Sequence, residues 1–245
     1  KSPITIYGSS KSGGGCVAMG TLITLGDGSQ VRVEDLSGNE NLLVLNHYTG
    51  LLESVPITTI VKHGDKPSLQ VVLELHFSNG NILKLIDDHT IFNATLNKYV
   101  TINYKNFSEY INHKFIAFNS NELELVELMD AKYYEEYTIA YSVISQQHLI
   151  CFTNNILTAT AYVDSILNIF DFENYQYNLN QVYEDINKYG IFTYDELKHL
   201  MSYEEYNAFN FKFFKISIEK GLISWDDFYN FCFLLEKFRD DFIFS

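Results

Sequence analysis

Gly13-Gly14-Gly15-Cys16-Val17-Ala18-Met19-Gly20-Thr21-Leu22-Ile23-Thr24-Leu25-Gly26-Asp27-Gly28-Ser29, followed by Val33-Glu34-Asp35-Leu36-Ser37-Gly38-Asn39-Glu40-Asn41-Leu42-Leu43-Val44-Leu45, decides how this chain is read. A glycine connector delivers a single cysteine to the start of a β-rich run. Asp27-Gly28 then lies between apolar stretches at 21–25 and 30–33, the strongest short-range signal for a tight hairpin. Asp35-Leu36 and the valine- and leucine-rich 42–45 continue the pattern as a short turn and a further strand.

Outward from this stretch the same grammar repeats as far as residue 160. Apolar runs at 57–61, 69–77 and 82–86 are separated by turn residues, Thr49-Gly50 before them and Asn79-Gly80-Asn81 between the last two. Runs at 98–102, 113–118, 122–128 and 137–144 follow, and 148–153 with 156–159 flank Asn154-Asn155 as a closing hairpin. Short strands at this spacing predict an all-β domain over 16–160. Upstream, residues 3–7 form a strand-like run, and Ser9-Ser10-Lys11-Ser12-Gly13-Gly14-Gly15 has the composition of a flexible connector, so residues 1–15 read as an upstream segment plus linker.

After residue 160 the apolar spacing shifts to three and four, which predicts helices. Thr193-Tyr194-Asp195-Glu196 and Ser224-Trp225-Asp226-Asp227 each have the form of a capping box. They belong to a weak repeat in which Gly190 and Gly221 end one helix and the cap opens the next. No Asp-x-Asp-x-Asp-Gly run precedes either copy, so calcium-binding loops are not expected. Residues 161–245 are therefore read as an acidic, aromatic helical segment, and the whole chain as mainly β with a small helical subdomain behind it.

Composition narrows the function classes. The 245 residues suffice for a real hydrophobic core, and 47% of them are hydrophobic. A net charge of −14, from 17 Lys and Arg against 31 Asp and Glu, works against a nucleic-acid partner. No apolar run approaches the roughly 18 residues of a membrane span. The first residues lack the basic-then-apolar signature of a signal peptide, so the chain reads as a cytosolic protein or a piece of a longer one, and the second is favoured. Cys16, Cys151 and Cys232 are too few and too scattered for a disulfide framework or a close-spaced zinc site; no cofactor and no metal are expected.

The cysteine after Gly15 carries the chemistry. A thiol on the residue following a scissile carbonyl reaches that carbonyl through a five-membered ring, and glycine puts no side chain beside the attacked carbon. A lone cysteine beside a glycine linker is far more often incidental. The order of elements around it reverses those odds: cysteine, Gly-Thr strand, Asp-Gly turn, valine-rich strand, Asp-Leu turn, strand. Together they resemble the opening of Hint domains, the self-processing modules of hedgehog proteins and inteins.

Two further stretches extend the resemblance over 16–160. Asn79-Gly80-Asn81-Ile82-Leu83-Lys84-Leu85-Ile86-Asp87-Asp88-His89-Thr90-Ile91-Phe92 is similar to the Hint segment with a Thr-x-x-His motif, in which the histidine protonates the departing amide nitrogen. His89 matches that histidine, while Ile86 stands where threonine is expected, removing a hydroxyl. Asp87 or Asp88 is placed to orient His89. The stretch from Ala140 to Thr160 is similar to the closing strands of the fold, with His148 either near the site or holding a structural hydrogen bond. Inteins end there in His-Asn; this chain has Thr158-Ala159, so asparagine cyclisation is unavailable. Thr160 stands where hedgehog proteins carry a cysteine. Cys151 and Cys232, both in apolar runs, read as ordinary buried thiols.

The resemblance implies an all-β horseshoe of two related halves, with Cys16, His89, Asp87, Asp88 and His148 as candidate catalytic residues and Gly15-Cys16 as the scissile bond. It implies a single-turnover N-to-S acyl shift on an upstream polypeptide in cis, the thioester passing to water or a small nucleophile. Two alternatives stay open: a catalytically degenerate Hint fold kept as a binding or spacer module, and a carrier of a C-terminal effector or interaction domain. The oligomeric state is left open.

Overall fold

The computed structural model describes residues 5–7, 16–47, 50–145, 148, 150–160, 179–203, 206, 211–221, 224–226, 228–229 and 232. Thirteen strands build one continuous sheet: β1 (Thr5–Tyr7), β2 (Val17–Ala18), β3 (Leu22–Thr24), β4 (Gln30–Arg32), β5 (Asn41–Asn46), β6 (Leu51–Phe77), β7 (Ile82–Ile86), β8 (His89–Asn93), β9 (Lys98–Ile102), β10 (Lys114–Asn119), β11 (Glu122–Ser145), β12 (Ile150–Thr153) and β13 (Ile156–Ala159). The path runs β1-β6-β7-β2-β11-β10-β8-β13-β12-β3-β4, with β5 on β6, β9 on β8 and β6 also paired with β11. The mainly β class and its short helical sequel are as the sequence predicts.

The hairpin signals hold. Asp27-Gly28 joins β3 to β4, Asn79-Gly80 joins β6 to β7, and Asn154-Asn155 joins β12 to β13. Two expectations need correction. The runs at 57–61 and 69–77 are one 27-residue strand, β6, and those at 122–128 and 137–144 are one 24-residue strand, β11. The polar residues between the runs look like loops in sequence because period-two alternation is hard to see when both faces meet solvent. They instead form an antiparallel ribbon, exposed where Glu135, Glu136 and Tyr137 pair with Val71, Gln70 and Leu69. Strand β8 was not anticipated: all five of its residues are buried, so no alternation marks it.

The core is continuous. Leu73, Leu75, Leu83, Leu85, Ile91, Phe92, Phe115, Phe152 and Leu157 are fully buried within one cluster, each worth about 2 kcal/mol of burial free energy. Downstream, α1 (Leu179–Tyr189), α2 (Tyr194–Leu197) and α3 (Phe214–Glu219) are short helices. Thr193 and Glu196 form the expected capping box at α2. At the second expected cap the Ser224 carbonyl accepts the Phe228 N–H, and Asp227 lies outside the described residues. The aromatic residues here make their own core, in which Phe192, Phe211, Phe214 and Phe228 pack with Leu197, Met201 and Cys232. No helix among the described residues is long and apolar enough to cross a membrane.

One glycine is fixed by contact. Gly26 donates its N–H to the Asn41 carbonyl and lies against β6 so closely that a Cβ there would sit 2.7 Å from the Ser54 Cβ. Gly26→Ala is therefore expected to lower unfolding free energy by about 1–3 kcal/mol in urea titrations. Adding Ser54→Gly should return part of that loss and adding Ser54→Ala less, because alanine keeps the offending Cβ; equal recovery would show that the clash is relieved elsewhere.

Candidate active site

Cys16 immediately precedes β2, a two-residue strand inserted between β7 and β11: Val17 pairs with Leu85 and Tyr141, and Ala18 with Ala140. Its carbonyl accepts two hydrogen bonds, from the Ile86 N–H at 3.1 Å and from His89 Nδ1 at 2.9 Å. The residue is 7% exposed and packs among Ala18, Val72, Ile86 and Ala140. Its sulfur lies 3.2 Å from Ser142 Oγ and 3.4 Å from His63 Nε2, and these two atoms are themselves 3.2 Å apart. A thiol, a hydroxyl and an imidazole thus close a triangle.

The sheet's geometry aims His63 at the sulfur. The β6–β11 ladder pairs His63 with Ala140 and then resumes at Ser68 with Thr138, so residues 64–67 bulge opposite Ile139 alone. Gly64 takes φ +93°, a conformation a side chain resists, immediately after the histidine. Ile139 is not left idle, since its carbonyl accepts the Met19 N–H just beyond β2. On the neighbouring strand, Ser142 follows Tyr141, the register partner of Val17.

Burial sets the charge states. It raises the Cys16 thiol above its ordinary value, an effect partly offset by the Ser142 hydrogen bond to the sulfur. It lowers the His63 imidazole. His89 is 1% exposed, and burial takes it down to about 4, against the opposing pull of the Cys16 and Ala159 carbonyls. Near neutral pH the thiol is protonated and both rings are neutral. Because a carbonyl only accepts, Nδ1 of His89 carries the proton and Nε2 is its free lone pair. That Nε2 is buried without a hydrogen-bond partner among the described residues, and the ring borders a cavity of about 10 Å³ lined also by Tyr141, Cys151, Thr153 and Thr160.

Of the residues singled out in sequence, Cys16 and His89 come together. His89 reaches the carbonyl of Cys16, whereas the sequence expectation was the amide nitrogen of the scissile bond. Asp87 and Asp88 do not hydrogen-bond His89: Asp87 accepts the Tyr104 N–H at 2.8 Å and Asp88 accepts Asn103 Nδ2 at 3.0 Å, so both carboxylates brace the turn after β9. Asp88 takes φ 63° in the two-residue link between β7 and β8, which pair with different strands. His148 bonds Glu53 at 2.6 Å, near the buried pair of His47 and Tyr99, and so takes the structural option. Gly15 lies outside the described residues. Cys151 and Cys232 are buried, Cys151 with its thiol pushed up to about 12.

His63 and Ser142 were missed. His63 stands in Lys62-His63-Gly64-Asp65-Lys66-Pro67, which reads as a loop, and Ser142 is one polar residue in an apolar strand. A single hydroxyl facing inward at that position was the available signal. Among the described residues no group of three or more His, Cys, Asp or Glu side chains could hold a metal ion.

No family model and no curated protein sequence matches the chain. Solved structures do. The DnaB intein from Synechocystis sp. PCC 6803 superposes with a TM-score of 0.50 at 14% identity, over 60% of this chain and 98% of that one. The PabCDC21-1 intein gives 0.50 at 12% identity, with the same shares of the two chains. At such identities the likeness speaks for backbone architecture alone, and it does so over nearly the whole of both inteins: the strand-rich part of this chain has the Hint-type fold.

Proposed function

We propose that the chain cleaves itself between Gly15 and Cys16 by an N-to-S acyl shift. The observation that carries this reading is the triangle around the Cys16 sulfur, with a neutral imidazole nitrogen at 3.4 Å and a hydroxyl at 3.2 Å. His63 Nε2 takes the thiol proton as the sulfur bonds to the Gly15 carbonyl carbon, and the Ser142 hydroxyl donates to the sulfur as charge develops. The carbon–nitrogen bond then breaks, and the proton that left sulfur ends on the Cys16 nitrogen, completing a thioester and a free amine. Water, or a small thiol or amine, next attacks the thioester; with water, the upstream segment leaves ending in a Gly15 carboxylate and the thiol is restored.

His89 and the Ile86 N–H act on the other side of Cys16. By holding its carbonyl they fix the residue's orientation, so that the sulfur is not free to turn away. The division into an upstream segment and linker (1–15), a Hint unit (16–160) and a helical segment (161–245) belongs to the same proposal. Separate clusters of buried residues in the strand-rich and helical parts support it.

A fusion carrying a reporter upstream of residue 1 tests the reaction. Release at Gly15, accelerated by added thiol, is expected in the unaltered chain and absent in Cys16→Ala. His63→Gln should slow it by about 10²- to 10⁴-fold, the usual range for a lost general base. A precursor that stays intact for days with thiol present would favour the degenerate binding or spacer module, a reading to which Ile86 in place of threonine also points. Cleavage near Thr160 would favour the carrier of a C-terminal effector.

The pH dependence follows from His63. It must be neutral to accept the proton, and its pKa lies below the ordinary 6.5, so the rate should hold down to about pH 6.5 and fall in more acid solution. In the His63→Gln chain that acid limb should disappear from the residual rate; a limb unchanged by the substitution would assign it to another group.

A further inference from the structure

The sheet holds a strand that belongs to the segment to be released. β1 (Thr5–Tyr7) lies parallel on β6, with Thr5 opposite Ile60, Ile6 opposite Val61 and Tyr7 opposite Lys62. The other edge of those same β6 residues is taken by β11, which pairs Val143, Ser142 and Tyr141 with Ile60, Val61 and Lys62. Three strands therefore share rows: Ile6, Val61 and Ser142 form one, and Ser142 is the residue whose hydroxyl meets the Cys16 sulfur. The row after Tyr7 and Lys62 would begin at His63. The incoming chain is thus annealed one residue short of the base.

We propose that the edge of β6 at residues 60–62 is a docking site for the upstream polypeptide, which it reads through the main chain as an added parallel strand. Backbone pairing makes such a site indifferent to most side chains and intolerant of proline. Residues 8–15 are all the chain that lies between the docked strand and Cys16, a loop of eight positions in the sequence. Once the ends of this loop are held, presenting the Gly15 carbonyl to Cys16 costs the ordering of a short loop and not of a whole upstream chain. A three-residue ladder is weak on its own, so after the bond is cut the segment departs by simple dissociation. The positioning role rests on the acyl-shift reading above; the docking itself does not.

Two measurements on the full chain separate these. In a Cys16→Ala background, which cannot cleave, amide hydrogen exchange should show Ile6→Pro speeding exchange over residues 57–63, with the β12–β13 hairpin unchanged as a control for global unfolding, and Ile6→Val leaving both protected. In the cleavage-competent reporter fusion, Ile6→Pro should slow release at Gly15 by about tenfold through lost positioning, with Ile6→Val within about twofold of the parent. Unchanged exchange over 57–63 in Ile6→Pro overturns the docking site whatever the cleavage data say. Altered exchange with an unaltered release rate overturns its role in presenting the scissile bond. If the parent fusion fails to cleave, the acyl shift and this role fall together, and the exchange data alone decide the docking site.

Discussion

Everything around the Cys16 thiol depends on the double hydrogen bond to the Cys16 carbonyl. A two-residue strand has little to hold it, yet β2 follows directly on the residue that bears the sulfur. The Ile86 N–H supplies a sheet-type bond, and His89 Nδ1 supplies a second donor at 2.9 Å. Neither bond involves the sulfur, so the peptide group is fixed while the thiol stays available. Ile86, at the position where the sequence reading expects a threonine, contributes to this through its backbone, which any residue but proline would do.

Burial gives the site its electrostatic character. Reactive cysteines are commonly thiolates stabilised by nearby positive charge, but here the surroundings are apolar, with Val72, Ile86 and Ala140 packed against Cys16. The thiol is therefore protonated at rest, and its partner imidazole is uncharged because the same dry environment penalises the cation. Proton transfer from sulfur to nitrogen would create two charges at once, stabilised by each other and by the Ser142 hydroxyl. Such a site holds no standing pool of thiolate, which lowers its susceptibility to stray oxidation and alkylation.

Much of this fold was legible in the sequence because hairpins announce themselves locally. Asp27-Gly28, Asn79-Gly80 and Asn154-Asn155 each fixed a turn from a few residues. The long ribbons of β6 and β11 were not legible, since an exposed polar ribbon and a polar loop have the same composition. Cys16 and His89 were readable from the motifs around them. His63 and Ser142 were not, for a physical reason: they reach the sulfur from 47 and 126 positions away, through pairings that exist only after β6 and β11 have found each other. Asp87 and Asp88 show the converse error, in which nearness along the chain was taken for contact, although their carboxylates accept from Tyr104 and Asn103.

The bulge at residues 64–67 has an evolutionary bearing. Along the regularly paired parts of β6 an inserted residue would slip the register and turn every following side chain to the opposite face. At the bulge the ladder is already interrupted, with four residues facing Ile139, so chain length can change there while both flanking ladders keep step. Such a change would swing the imidazole just before it and leave the rest of the sheet in place. The residue that meets the Cys16 sulfur thus stands beside a part of the strand where lengthening or shortening does not threaten the architecture.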